Sequence, residues 1–396
     1  VEGAPVGDAS TLRNPESIDE LARVIRAWQQ RQALSADQQR FEDYRYYRVE
    51  YHPVGAGARV AVVTIDNPPV NALNERALDE LNTVVDHLAR RDDVAVIVFT
   101  GAGSSAFVAG ADIRQLLEDV QTLEDALPLP NNAHLAFRKI EQMGKPCIAA
   151  INGVALGGGC EFALACHFRL ADPTAQFGQP EIRLNLLPGY GGTQRLPRLL
   201  ADRRGAQGLV DAIGIVLGGR TLTADEALAA GLVDAVARDA TGVVAAAVAL
   251  AREFTTGSGA LAAAFAERRA ALARWEQPGS VPLPPALAAG EVRRLLDQTG
   301  RVGRAVPAAR VVEAITTGWQ SGLAAGLAHE ARLFAAAVAD PALGKQGIRA
   351  FLDRRSAPLP ARRAFGPPAA EWPALIRSGE LLAVGAPFFP GFTPLP

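Results

Sequence analysis

Two acidic residues stand where acids are unexpected. Glu161 follows three consecutive glycines in ALGGGCEFALA, and Glu181 lies inside the apolar, Pro- and Gly-bounded phrase AQFGQPEIRLNLLPG. A carboxyl group held in apolar surroundings near a second one has a raised or split pKa, as proton transfer near neutrality needs. The pair therefore suits general acid–base chemistry. Two structural alternatives stand beside that reading. Glu161 is expected on a first helical turn, where negative charge is favoured in any case, and Glu181 could be a core acid paired with Arg183 or Arg195.

The glycines suggest a second kind of chemistry. A β-run, PCIAAING, leads into the triple glycine, and a helix is expected to begin near Cys160. The first N–H groups of a helix have no internal partner, and glycines leave them open to a ligand oxygen. SSAFVAGADIRQL (104–116) is another small-residue turn, between the run VAVIVFTG and a helix expected to start near Ala111. N–H donors from two such junctions could converge on one carbonyl oxygen and form an oxyanion site. Each turn could equally be an ordinary strand-to-helix connection.

The elements that must position these groups follow from periodicity. From about 58 to 236 short β-branched runs such as RVAVVTI alternate with amphipathic segments such as ERALDELNTVVDHLARR, which predicts an α/β fold with a largely parallel sheet. YRYYRVEYH (44–52) alternates as a half-buried strand and holds Tyr44, Tyr46, Tyr47 and Tyr51. Upstream, SIDELARVIRAWQQRQAL predicts a helix capped by Ser17. Beyond 240 the chain turns to Ala-rich helix, with a Pro-rich break over 276–290 and helices expected near 290–298, 307–339 and 342–354. We divide the chain into an N-terminal extension (1–54), an α/β core (55–256), a helical region (257–356) and a Pro/Gly-rich arm or linker (357–396).

Composition excludes several classes. With 40 Lys and Arg against 42 Asp and Glu, the chain lacks the basic excess of a nucleic-acid binder. No apolar run reaches the ~18–20 residues of a membrane span. Cys147, Cys160 and Cys166 form no CxxC pair and are read as buried free thiols of a cytoplasmic protein. The five histidines have no metal-type spacing, His167 is read as a core residue, and neither a GxSxG nucleophile elbow nor a P-loop occurs. No metal and no cofactor are expected. The chain opens on VEGAPVGDAS without Met, secretory n-region or h-region, and is expected to be a module of a longer polypeptide.

Over roughly 55–355 the chain resembles the enoyl-CoA hydratase/isomerase, or crotonase, superfamily. The resemblance is carried by VAGADI, KPCIAAINGVALGGGCEFALACHFRLADPTAQFGQPEIRL, LLPGYGGTQRLPRLL, GRTLTADEALAAGLVDAV and GLAAGLAHEARLFAAAVADPALGKQGIRAFLDRR. It implies a crotonase-like spiral of ββα units with a C-terminal helical region through which members form trimers or pairs of trimers. By the same resemblance, the N–H groups of Ala111 and Gly158 form the oxyanion hole for a thioester carbonyl. Glu161 acts as general base on a water, Glu181 passes a proton to the α-carbon, and Gly189 lies beside that water site. CoA is expected along Val70 and Ala72 and past Ala109, Asp112, Ile113 and Arg114, with Tyr190 shortening the acyl pocket. The phrase NPPVNAL lacks the basic residue often found in hydratases near that loop, so the phosphate partners stay unassigned.

Isomerases of the family generally lack the earlier acid, and its dehalogenases and decarboxylases carry other residues. The paired acids therefore imply a lyase that reversibly hydrates a 2-enoyl-CoA, the acyl-CoA being substrate rather than cofactor. Isomerisation, C–C hydrolysis of a CoA ester and a non-catalytic structural or RNA-associated role are the alternatives. The extra segments at 1–54, 202–220, 257–306 and after 356 suit a multienzyme module, either of fatty-acid oxidation or of propionyl-CoA synthase. In the latter case 3-hydroxypropionyl-CoA would be dehydrated to acryloyl-CoA.

Overall fold

A computed structural model describes residues 44–55, 57–238, 242–256, 259–278 and 305–356. The helix expected over 17–34, the helix near 290–298 and the C-terminal arm lie outside the described residues.

The α/β core consists of two sheets that the chain visits alternately. Strands β1 (Tyr47–Gly55), β2 (Ala58–Ile65) and β3 (Val94–Gly101) begin the larger sheet, with helix α1 (Glu75–Arg90) between the last two. The short strand β4 (Ala106–Val108) then starts the smaller sheet, followed by α2 (Ile113–Glu118), α3 (Leu123–Ala126) and α4 (Pro128–Glu141). The same step recurs: β5 (Cys147–Ile151), β6 (Val154–Leu156) and α5 (Gly158–Ala165) form the next unit. The following unit contains β7 (Phe168–Ala171), β8 (Gln176–Gly178) and a 3₁₀ turn, Pro180–Leu184. Helix α6 (Gly192–Gly218), β9 (Thr221–Thr223), α7 (Ala224–Ala230) and β10 (Ala235–Val236) complete the core.

The larger sheet has the order β1-β2-β3-β5-β7-β10 and the smaller β4-β6-β8-β9. Only β1–β2 and β8–β9 pair antiparallel; the other pairs are parallel. This is the spiral of ββα units. Strands β3, β5 and β7 of the larger sheet each hand the chain to a short strand of the smaller one, β4, β6 and β8.

The near-continuous apolar strands are explained by burial on both faces. In β2, Ala61, Val63 and Ile65 join the core beneath α1, α4 and α5, while Val60 and Val62 join a second core on the other face. That second core is closed by α8 (Gly242–Thr256) and α9 (Gly259–Trp275), which contribute Ala247, Leu250, Leu261 and Phe265.

The helix expected over 307–339 is two helices, α10 (Ala305–Ser321) and α11 (Leu323–Ala339). The break is Gly322, whose φ of 88° is outside the helical range and whose missing Cβ would stand 2.4 Å from the Glu276 carbonyl oxygen. The expected helix over 342–354 begins as a single π-type turn, Pro341–Lys345, before α12 (Gln346–Ser356). The stretch 202–220 is mostly a continuation of α6 past a kink at Gly205. Helix α11 packs against α3, α4 and α6, and so returns the helical region to the middle of the core.

Candidate active site

Helix α5 places the first acid. Phe162 is enclosed by the rings of Phe99, Phe107 and Phe137 at 5.1, 5.6 and 5.2 Å between centroids. That anchor fixes the rotation of the short helix and points its neighbour Glu161 toward the start of α6. There Glu161 Oε1 accepts the N–H groups of Tyr190 at 2.8 Å and Gly192 at 2.6 Å. Glu161 is only 1% exposed, and burial raises its carboxyl to about 7 even though these donors favour the charged form.

Glu181 comes from the 3₁₀ turn and lines the same cavity. Its Oε1 lies against Gly157, 2.7 Å from where a Cβ would stand. The Gln179 amide, turned with its nitrogen toward the acid, donates to Glu181 at 3.1 and 3.3 Å. Its solvent exposure is intermediate because the carboxyl faces the cavity. Even so, burial first and the Glu161 charge second push it well above the usual carboxylate range. The alternative that Arg195 neutralises Glu181 is not met: Arg195 forks onto Glu141, Nε to Oε1 at 2.7 Å and Nη2 to Oε2 at 3.2 Å. Nor does any ion pair join Arg183 to Glu181 among the described residues.

The two small-residue turns meet beside these acids. Helix α5 starts at Gly158, earlier than the expected Cys160, and α2 starts at Ile113 rather than Ala111 because Asp112 caps it. The cap is made by Asp112 Oδ1, which accepts from the Arg114 N–H at 3.0 Å. Ala111 forms a parallel bridge with Leu73 that uses the Gly110 carbonyl and the Asp112 N–H, leaving the Ala111 N–H out of it. A Cβ on Gly158 would stand 3.4 Å from the Ala111 nitrogen, so the two donors are neighbours. The close approach needs Gly159, where a Cβ would come within 1.9 Å of the Val108 carbonyl oxygen.

The cavity between these groups measures about 80 Å³. Ala109, Ala111, Ile113, Gly158, Gly189 and Tyr190 line it, together with Leu116, Leu156, Leu186 and Phe334. The Tyr190 ring covers Gly158 and packs between Phe137 and Phe334, at 6.5 and 6.2 Å between centroids. Val70, Ala72, Asp112 and Arg114 are outside the cavity lining. Val70 is 36% exposed and its carbonyl accepts the Ala109 N–H at 3.1 Å, while Asn71 ties this loop to the Ala102 and Ala106 carbonyls. Among the described residues no group of His, Cys, Asp and Glu could hold a metal ion. His167 is a core residue, its Nδ1 accepting the Cys147 N–H at 3.1 Å, and the three cysteines are free and buried.

Sequence reasoning missed Glu330 and Phe334, both on α11. Glu330 is fully buried beside the Gly191–Thr193 turn, accepting the Gly191 N–H at 2.6 Å and the Thr193 N–H at 2.9 Å. A signal was present: Leu323, Leu327, Glu330 and Phe334 fall on one helical stripe, so an acid occupies a core position.

Residues 55–278 match the family model described as enoyl-CoA hydratase/isomerase, which is more than half of the chain. The chain belongs to the enoyl-CoA hydratase/isomerase family. Among curated relatives it is similar to a short-chain-enoyl-CoA hydratase of Clostridium acetobutylicum, 44% identical over 179 residues, covering 45% of this chain and 65% of the relative. It is also similar to a peroxisomal fatty acid beta-oxidation multifunctional protein of Oryza sativa, 45% identical over 182 residues, covering 46% of this chain and 24% of that protein. Both matches thus span less than two thirds of the relative's own length. Among solved structures, Pseudomonas aeruginosa DspI aligns at 31% identity with a TM-score of 0.52, covering 66% of this chain and 98% of that one. This family membership accounts for the ββα spiral. No helix among the described residues is long and apolar enough to cross a membrane.

Proposed function

We propose that this site reversibly hydrates a short 2-enoyl-CoA, the reverse being dehydration of a 3-hydroxyacyl-CoA. The observation that carries the reading is that two carboxyls with raised pKa, Glu161 buried and Glu181 facing the cavity, share one small cavity with the N–H groups of Ala111 and Gly158. Those two donors would hold the thioester oxygen and stabilise the enolate that forms as the C=C bond opens. Glu161 takes a proton from water as its oxygen bonds to the β-carbon. Glu181, kept protonated by burial and by the neighbouring charge, gives its proton to the α-carbon. One proton is taken and one given, so the pair finishes with the same proton count and resets by exchange. Gly189 lies beside the water site, and the thioester is the substrate, with no resident cofactor or metal used.

A short acyl chain is supported by the small 80 Å³ cavity, with Tyr190 and Phe334 in its wall, and by the name of the Clostridium relative. Within that class a three-carbon chain, 3-hydroxypropionyl-CoA giving acryloyl-CoA, would fit. CoA would run past Val70, Ala72 and Ala109, with Arg114 near a phosphate. A homotrimer or pair of trimers is the proposed assembly in the cytoplasm. The likeness to a multifunctional protein supports neighbouring catalytic modules.

The test is loss of the enoyl-thioester absorbance on crotonyl-CoA. Glu161→Gln and Glu181→Gln should each lower kcat by about 10²–10⁴. Unchanged turnover in both variants would refute the assignment. Conversion of a 3-enoyl to a 2-enoyl thioester without uptake of water would indicate the isomerase reading instead.

A further inference from the structure

The turn that opens α6 presents successive N–H groups to two different acids. Tyr190 and Gly192 donate to Glu161 Oε1 at 2.8 and 2.6 Å, whereas Gly191 and Thr193 donate to Glu330 Oε1 and Oε2 at 2.6 and 2.9 Å. The Thr193 hydroxyl also bonds Glu330 Oε2, and since it accepts from Gln194 Nε2 at 2.8 Å, its own proton points to Glu330. On the outer side of the turn, Arg195 Nη1 donates to the Tyr190 carbonyl at 2.8 Å. Gly191 has a φ of 109° and no room for a Cβ, which would stand 1.7 Å from Arg195 Nη1. The turn is therefore held by three side chains on α5, α6 and α11, and the peptide planes alternate in direction.

We propose that Glu330 is a positioning residue. By taking the Gly191 and Thr193 N–H groups it turns the intervening ones onto Glu161 Oε1, leaving Oε2 as the oxygen that meets the water. The inference rests on the reading of Glu161 as the base. Among the described residues Glu161 Oε2 makes no hydrogen bond, and Glu330 does not line the cavity, so its action runs through the turn. The groups that face Glu330 are Thr193, Glu161, and His134, whose Nε2 lies 3.9 Å from Glu330 Oε1. Burial and then the Glu161 charge raise Glu330 to about 8, against the three donors that favour its ionised form. When ionised, Glu330 adds to the burial and the Glu161 charge that raise Glu181.

Glu330→Gln keeps the size of the side chain but sets an NH₂ group against N–H donors, so it disturbs the turn without opening a cavity. The expected result is a kcat for crotonyl-CoA about 10–100-fold lower, on the scale of a sub-ångström to ångström misplacement, with KM within about twofold. In the Glu161→Gln background the same change should produce no further loss, because its target is already gone. Thr193→Val removes one donor to the same carboxylate and should lower kcat in the same direction by a smaller factor. It serves if Glu330→Gln does not fold. A kcat within twofold of the parent, a parallel change in kcat and KM, or a full additional loss in the double variant would overturn the proposal. If Glu161→Gln itself kept full activity, the functional reading would fail first. If it lost activity while Glu330→Gln did not, only this inference would fail.

Discussion

Replacing Tyr190 by Ala should lengthen the acyl chain that the site accepts. The ring lines a cavity of about 80 Å³ and stands against Phe334, whereas its backbone N–H holds Glu161 Oε1. The substitution removes the wall and keeps the donor. Each methylene newly taken out of water contributes about 0.8 kcal/mol, roughly fourfold in rate. If the opened space takes two of the four methylenes that separate 2-octenoyl-CoA from crotonyl-CoA, the C8:C4 ratio of kcat/KM rises about 15-fold. The cost is stability, about 3–5 kcal/mol for a large-to-small change in a packed aromatic site. The ratio should therefore be read on folded protein, by enoyl absorbance at several substrate concentrations. Tyr190→Phe is the control. It removes a buried hydroxyl that has no hydrogen-bond partner among the described residues and should keep the parent's C8:C4 ratio. A folded Tyr190→Ala enzyme with an unchanged ratio would show that Phe334 and Leu116, not Tyr190, end the pocket.

Two further outcomes follow from the ionisable groups. In the proposed mechanism hydration consumes no net proton, so both directions need the singly protonated Glu161–Glu181 pair. Because Glu161 ionises at about 7 and Glu181 well above the usual range, kcat/KM should fall as pH is lowered through about 7, equally for hydration and dehydration. A flat profile from pH 5 to 8, or a limb in one direction only, would contradict this. Asp234 is buried among Arg169, Arg203 and Arg268, and Arg203, Arg169 and Arg268 hold its carboxyl at about 2 against the burial that opposes ionisation. Its folded value is depressed, so its contribution to stability is complete above the unfolded value and is lost as pH falls through about 2. Asp234→Asn, which leaves the buried Arg169 and Arg268 and the half-buried Arg203 short of a counter-charge, should cost about 3–5 kcal/mol in denaturation and flatten stability in that acid window.

How far the site could be read in the sequence varies from residue to residue. Glu161, Gly158 and Ala111 stand next to strong local punctuation, a β-run followed by small residues and a helix, so their placement needs only local rules. The Glu181 turn was also marked, by Pro and Gly around an apolar phrase. The choice between a free carboxyl and an Arg-paired one was not local. Arg195 is engaged by Glu141 on α4, and nothing near either residue in the chain announces that pairing. Gly322 shows the converse failure. A single glycine inside an Ala-rich helical pattern is compatible with an unbroken helix, and the close approach of Glu276 is what makes it a break.

By itself the sequence determined the alternation of strands and helices, the two glycine-rich junctions and the identity of the paired acids. Each of these depends on neighbours within a few positions. Only the tertiary structure decided that Glu330 and Phe334, from the helical region, belong to the same site as Glu161. The boundary drawn at 256 separates them in sequence, but α11 packs back against α6 and supplies both a wall and an anchor for the turn. Burial of an apolar helical stripe is nonlocal. Its pattern says that a helix will be covered and leaves open which surface will cover it.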